Sequence, residues 1–136
     1  MGFRRVQGKT KFVYLPVTPS TVLVKDSLVT FSSGKLIAVT STTTPIAIEG
    51  IIRHSITAAD ADYAANRWVE VEVPVEKNVV WEFEAISLVA ADIGVEVDLV
   101  DADTVDRSAS AIKVVKPLKV LSTTLGQGYL KINGSY

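Results

Sequence analysis

From Trp68 to Ala85 the chain reads "WVEVEVPVEKNVVWEFEA", and the near-strict alternation of apolar and acidic residues restricts what this stretch can become. Side chains along a strand point to opposite faces with a period of two. Val69, Val71 and Val73 therefore face one way, while Trp68, Glu70 and Glu72 face the other. After "PVEK", Val79, Trp81 and Phe83 oppose Val80, Glu82 and Glu84. A helix would scatter both sets around its circumference. The pattern predicts an antiparallel hairpin turning at "PVEK", with one oily face and one face of four carboxylates in water or against a basic partner.

Composition extends the β reading to the whole chain. Val, Ile and Thr number 21, 10 and 12, so 43 of 136 residues are β-branched, a stiffness at χ1 that suits pleated sheets. This length fits one domain able to bury a core without staples. "KFVYLP" predicts a strand closed by Pro16 and Pro19, and "SSG" between "LVTF" and "KLIAVT" predicts a hairpin. "IAIEGIIRHSI" reads as a buried strand with Gly50 at a bulge or close approach. Only "TAADADYAANR" is helical in character: Thr57 and Asp60 resemble a capping box, and the alanines favour about two turns. In "DIGVEVDLVDADTVD", Val95, Val97 and Leu99 form an inward set. "AIKVVKPLKVL" reads as a strand pair or an edge strand kinked at Pro117, and "GYLKIN" as a last strand after a turn at Gly126 and Gly128. Together these predict a mainly β fold, an antiparallel barrel or sandwich with one short inserted helix.

Several chemistries are excluded at this level. The chain has no Cys, so disulfides, thiolate metal sites and cysteine nucleophiles are absent, and the single His54 rules out sites built from several imidazoles. No apolar run approaches the roughly 20 residues of a membrane span, and the first residues lack the apolar stretch of a signal peptide, so a soluble protein is expected.

The net charge of −1 hides a segregation. Residues 1–35 carry Arg4, Arg5, Lys9, Lys11, Lys25 and Lys35 against Asp26 alone, a balance of +5. Residues 107–136 hold five basic residues and no acid, again +5, and the 14 acids between face only three basic residues, a balance of −11. Either the ends pair beside the acidic middle within one sheet, or a basic arm reaches a neighbouring subunit and fixes its register. Nucleic acid is disfavoured as a partner because the acidic block repels a polyanion. Residues 1–11, with Gly2, Gly8 and little periodicity, read as that arm, flexible and basic, ahead of a single β domain over 12–136; its deletion is expected to leave the fold intact.

Candidate catalytic and metal sites each have a simpler reading. Asp98, Asp101, Asp103 and Asp106 could gather a hard cation, but Asp103 and Ala109 stand where an EF-hand counted from Asp98 needs Gly and Glu, and aspartates also initiate turns. Glu70, Glu72, Glu82 and Glu84 could supply the paired acids of a glycosidase, yet the valines alternating with them explain their positions as a solvated face. His54 lies beside Ser55 without a "GxSxG" elbow, and "LGQGYL" lacks the following helix of a phosphate loop. No catalytic, metal or cofactor-binding residue is assigned. Trp81 belongs with Val79 and Phe83 in the core, whereas Trp68 lies on the acidic face and is exposed unless a partner covers it. Tyr14, Tyr63, Tyr129 and Tyr136 complete the larger polar aromatics.

The order "LVTFSSGKLIAVTSTTTPIAIEGII", "TAADADYAANR", "VEVEVP", "DIGVEVDLVDADTVDRSAS" and "GYLKIN" resembles, over roughly residues 20–133, small head decoration (capsid cement) proteins of tailed double-stranded DNA bacteriophages. The likeness is one of overall pattern. It implies a β-rich, non-enzymatic virion protein, assembled in the host cytoplasm, that binds the outer capsid surface and clamps the major capsid protein lattice without touching nucleic acid or membrane. Neighbouring copies of the same chain are the second implied partner, many relatives being trimers and others dimers or monomers. The residues expected to reach a partner are Arg4, Arg5, Lys9, Lys11 and Trp68, chosen on charge and exposure. Two other readings stay open: a tail or head–tail connector subunit, and a carbohydrate-binding or hydrolytic β-sandwich using Trp68 and the nearby glutamates.

Overall fold

A computed structural model describes residues 2–109 and 112–133; Met1 of the expected arm and Tyr136 lie outside the described residues. The described chain is mainly β, with strands β1 (Phe3–Gln7), β2 (Thr10–Val17), β3 (Leu28–Ser32), β4 (Lys35–Ala38), β5 (Ile48–Ile52), β6 (Arg67–Pro74), β7 (Val80–Ile86), β8 (Asp98–Leu99), β9 (Thr104–Asp106), β10 (Val115–Ser122) and β11 (Leu125–Leu130). Five of them close a barrel in the order β2-β4-β3-β5-β6. The others form a sheet ordered β10-β11-β7-β9-β8, with β1 also paired to β7.

The β3–β4 hairpin forms where "SSG" placed it. Ser33 and Gly34 both take positive φ, 51° and 80°, the geometry of a two-residue turn matched to strand twist. β5 is buried, and its pairing with β3 slips by one residue next to Gly50. β10 is an edge strand whose ladder with β11 shifts beside Pro117, as the proline implies.

Five expectations need correction. First, β6 and β7 do not pair. β6 runs antiparallel to β2 and β5, while β7 pairs with β1, β11 and β9. Each oily face has its own core. Val69 and Val71 fill the barrel with Val17, Leu23, Val29, Leu36, Ile52 and Ile56, whereas Trp81 and Phe83 join Phe3, Val115, Leu130 and Ile132 in a second cluster. Leu28, Val39, Ile48 and Ile51 from the barrel side belong to that second cluster too, so the layers meet over apolar contact.

Second, residues 3–7 are a strand rather than a free arm. β1 runs antiparallel to β7 and Phe3 is fully buried. Gly8, at φ 103°, turns the chain into β2, and a Cβ there would meet Val79 Cα at 2.9 Å. Third, residues 57–67 form no α-helix. Thr57 donates to the Asp60 carboxylate twice, from its backbone N–H at 3.2 Å and from its hydroxyl at 3.0 Å, which is only one half of a capping box, and the chain proceeds through separate i→i+3 turns. A two-way tie to a distant loop holds it there, the Tyr63 hydroxyl donating to Ser20 O at 2.9 Å and Ser20 N donating to Tyr63 O at 2.8 Å, while Arg67 pairs locally with Asp60 and Asp62. The helices among the described residues are two short 3-10 turns, Pro45–Ala47 and Ala90–Asp92.

Fourth, Gly126 and Gly128 lie inside β11, not in a turn. A Cβ at Gly126 would stand 2.6 Å from Leu88 Cδ2, and one at Gly128 would press into the Lys116 carbonyl, so close approach explains both. Fifth, Val95 is exposed while Val97 and Leu99 are buried; β8 contains only Asp98 and Leu99.

Candidate protein-docking surface

β2 and β6 are paired along eight rungs, from Thr10↔Pro74 to Val17↔Arg67. Val13 and Leu15 of β2, with Val69 and Val71 of β6, point into the barrel. Alternation then turns Phe12, Tyr14 and Pro16 outward, against Glu72, Glu70 and Trp68 on the facing strand. Phe12, Tyr14 and Trp68 are 55%, 66% and 63% exposed, so three large aromatics share one face of a rigid two-stranded ribbon. Pro16 stands directly opposite Trp68, and Tyr14 is diagonal to it, within reach of an aromatic ring.

One end of this face is anchored by a buried ion network. Glu72 is only 4% exposed. Its carboxylate accepts from Arg53 Nε at 2.8 Å, from Arg53 Nη2, and from Thr10 Oγ1 at 2.7 Å, with Arg5 Nε at 3.4 Å. Arg53 Nη1 also donates to Asp26 Oδ1 at 2.6 Å and to Phe3 O at 3.0 Å, so one guanidinium links β1, β6 and the loop before β3. A carboxylate can be buried at this seam because its lone pairs are taken up by charged and hydroxyl donors. Glu72 is therefore no member of a solvated face, contrary to expectation.

The residues expected at a partner surface are only partly brought together. Trp68 is exposed as alternation required. Arg5 and Lys9 line a hollow with Gly8, Thr10, Phe12 and Glu76 at the Phe12 end of the aromatic face. Arg4 lies on β1 and pairs with Glu82 of β7 at 2.6 Å. Lys11 is exposed but belongs to the other face of β2, where it rims a cleft with Val13, Leu15 and Glu49. Ion pairs within the chain account for part of the charge segregation: Arg4–Glu82, across the β1–β7 pair, and Arg5–Glu72, Arg107–Asp92 and Lys131–Glu96 each join a basic end to the acidic middle.

Phe12 and Tyr14 are the residues that sequence reasoning left out. The signal was present in "KFVYLP", whose alternation puts Phe12, Tyr14 and Pro16 on one side. What the linear sequence lacks is the β2–β6 pairing that carries them to Trp68.

The other candidates have local roles. Asp98 accepts the backbone N–H groups of Ile112 and Lys113 at 2.8 and 2.7 Å. Asp101 accepts from Asp103 N, and Asp106 accepts from Ser108 N, the geometry of aspartate-initiated turns. Burial, with the hydrogen-bonded charge of Asp101 beside it, pushes the Asp103 carboxyl above the usual range. No three His, Cys, Asp or Glu among the described residues are placed to share a metal ion. Glu70 and Glu72 lie on the barrel, Glu82 and Glu84 on the other sheet. His54 is exposed, the hydroxyl of neighbouring Ser55 accepts from Lys25 N, and "LGQGYL" is strand β11.

No family model matches the chain, and no curated protein matches it.

Proposed function

We propose that this protein is a non-enzymatic structural component that docks through the β2–β6 aromatic face onto the outside of a protein shell, as a capsid decoration protein does. The observation that carries the reading is the outward set Phe12, Tyr14 and Trp68 on a folded barrel. Contiguous exposed aromatics on a soluble domain mark interaction sites, and such residues form the cores of protein interfaces. Each aromatic side chain can bury about 150–250 Å². Because the ribbon is already ordered, docking loses little backbone freedom. One such patch gives modest affinity; many copies acting on one lattice multiply it. Arg5 and Lys9 supply a basic rim, and the resemblance to capsid cement proteins names the lattice as major capsid protein.

The test is to add purified protein to expanded phage capsids and follow their survival on heating or chelation. Decorated particles are expected to survive conditions that open bare ones; unchanged survival at saturating protein contradicts the reading. The placement of Glu70 across from Tyr14 and next but one to Trp68 favours one rival, since aromatics flanked by a carboxylate also suit a sugar ring. Saturable quenching of tryptophan fluorescence by oligosaccharide, lost in Trp68→Phe, would support that rival instead.

A further inference from the structure

We infer that the edge of β2 is the site at which a second copy of this chain adds, strand to strand, about a two-fold axis at Phe12. The inference stands apart from capsid docking, because it concerns the purified chain alone.

The barrel is closed unevenly. β2 meets β6 along eight rungs but meets β4 at one, Val17↔Leu36. That pairing is parallel, so the residues of β2 before Val17 lie beside Lys35 and the Ser33–Gly34 turn, and the rest of β2 projects beyond the tip of that hairpin. Backbone parity shows which groups are left over. Val75 N donates to Lys9 O, which puts the odd-numbered residues of β2 in register to bond β6. Thr18 N donates to Leu36 O, so the even-numbered residues point the other way. Among the described residues the main-chain groups of Phe12 and Tyr14 have no partner on that side.

The other long edge of the molecule is guarded. β10 carries Lys116, Pro117 and Lys119, and its ladder slips twice. Charges, proline and bulges of this kind block edge-to-edge pairing. β2 has no register shift against β6, and Lys11 is the only charge between Thr10 and Leu15.

The open stretch selects its own occupant. Bounded by the Gly8 turn and the β3–β4 hairpin tip, it runs from Thr10 to Tyr14, with Phe12 at its centre. A second copy laid antiparallel with Phe12 opposite Phe12 sets Thr10 against Tyr14 at both ends. All three pairs are then hydrogen-bonded pairs, and every edge N–H and C=O of the stretch is used. Lys11 faces Val13 of the other copy, so no like charges oppose. Shifting by two residues toward the C-terminus drives Thr10 of one copy into Lys35 of the other, and shifting the opposite way sets Lys11 against Lys11. The contact is isologous and closes at two copies. It joins the two aromatic faces into one four-stranded face.

The absence of native cysteine makes the register directly testable. Directly opposed residues in a hydrogen-bonded antiparallel pair have Cα atoms about 5.5 Å apart, within disulfide range. Phe12→Cys is therefore expected to give a covalent dimer on mild oxidation. Tyr14→Cys is expected not to, since the two copies of that position are offset by four residues, about 13 Å. Sedimentation velocity of the unmodified chain should show a dimer that Phe12→Lys converts to monomer, with circular dichroism unchanged because the side chain is exposed. A monomer at all concentrations, a closed trimer, or equal cross-linking of the two cysteine variants would overturn the inference. If the chain stays monomeric yet protects capsids, the edge pairing fails and the docking reading survives.

Discussion

Trp68 and Trp81 have opposite environments, 63% and 0% exposed, and so offer a matched pair of substitutions. Trp81→Ala opens a cavity in the second core and is expected to cost about 3–5 kcal/mol in denaturant unfolding. Trp68→Ala should leave stability within about 0.5 kcal/mol, since nothing buried depends on it. Period-two alternation made this contrast legible in the sequence. It did not make Glu72 legible, because the pattern counts residues on a face and is blind to what covers that face. The Arg53–Glu72 pair behaves accordingly: Arg53→Met leaves a buried carboxylate with fewer partners, and a loss of about 3–5 kcal/mol is expected. Asp92 is buried, and the hydrogen bond from Arg107 at 2.8 Å holds its carboxyl below the usual range against the opposing effect of burial. Its folded value lies below the unfolded one, so its contribution is complete at neutral pH and is lost as pH falls through the folded value. Unfolding midpoints followed from pH 7 downward should decline in the acid range, and Arg107→Gln should flatten that decline.

At the level of elements, β1 separates the two readings of the N-terminus most sharply. Removing residues 1–8 takes Phe3 out of the core, worth about 1.5–3 kcal/mol by burial alone, and strips β7 of one neighbour. A truncated chain is expected to unfold at markedly lower denaturant, where a dispensable arm would leave the midpoint unmoved. The elements that the sequence announced share a local cause. Ser33–Gly34 sets its own hairpin, Gly50 marks its own irregularity and Pro117 confines β10 to an edge. Those that were misread depend on distant partners. β6 and β7 carry the same alternation, and nothing local states that their oily faces belong to different cores. The alanines of residues 57–66 favour helix, but Tyr63 is bonded both ways to distant Ser20, and that tertiary contact overrides propensity.

As a whole molecule, the chain stacks a five-stranded barrel on a second sheet and leaves the three most exposed aromatics among the described residues on one outer ribbon. The β class was readable from composition and alternation, and Trp68 from its parity. The shared aromatic face was not, because Trp68 lies more than fifty residues from Phe12 and Tyr14 and meets them only through the β2–β6 register. In the proposed role, that surface is the means of attachment. The most direct measurement is a binding isotherm on expanded capsids for the unmodified chain and for Tyr14→Ala/Trp68→Ala, both confirmed as folded by circular dichroism. The double substitution is expected to weaken binding at least about thirtyfold, the loss of about 2 kcal/mol typical of an aromatic anchor. Equal affinity of the two proteins for the particle would contradict the account.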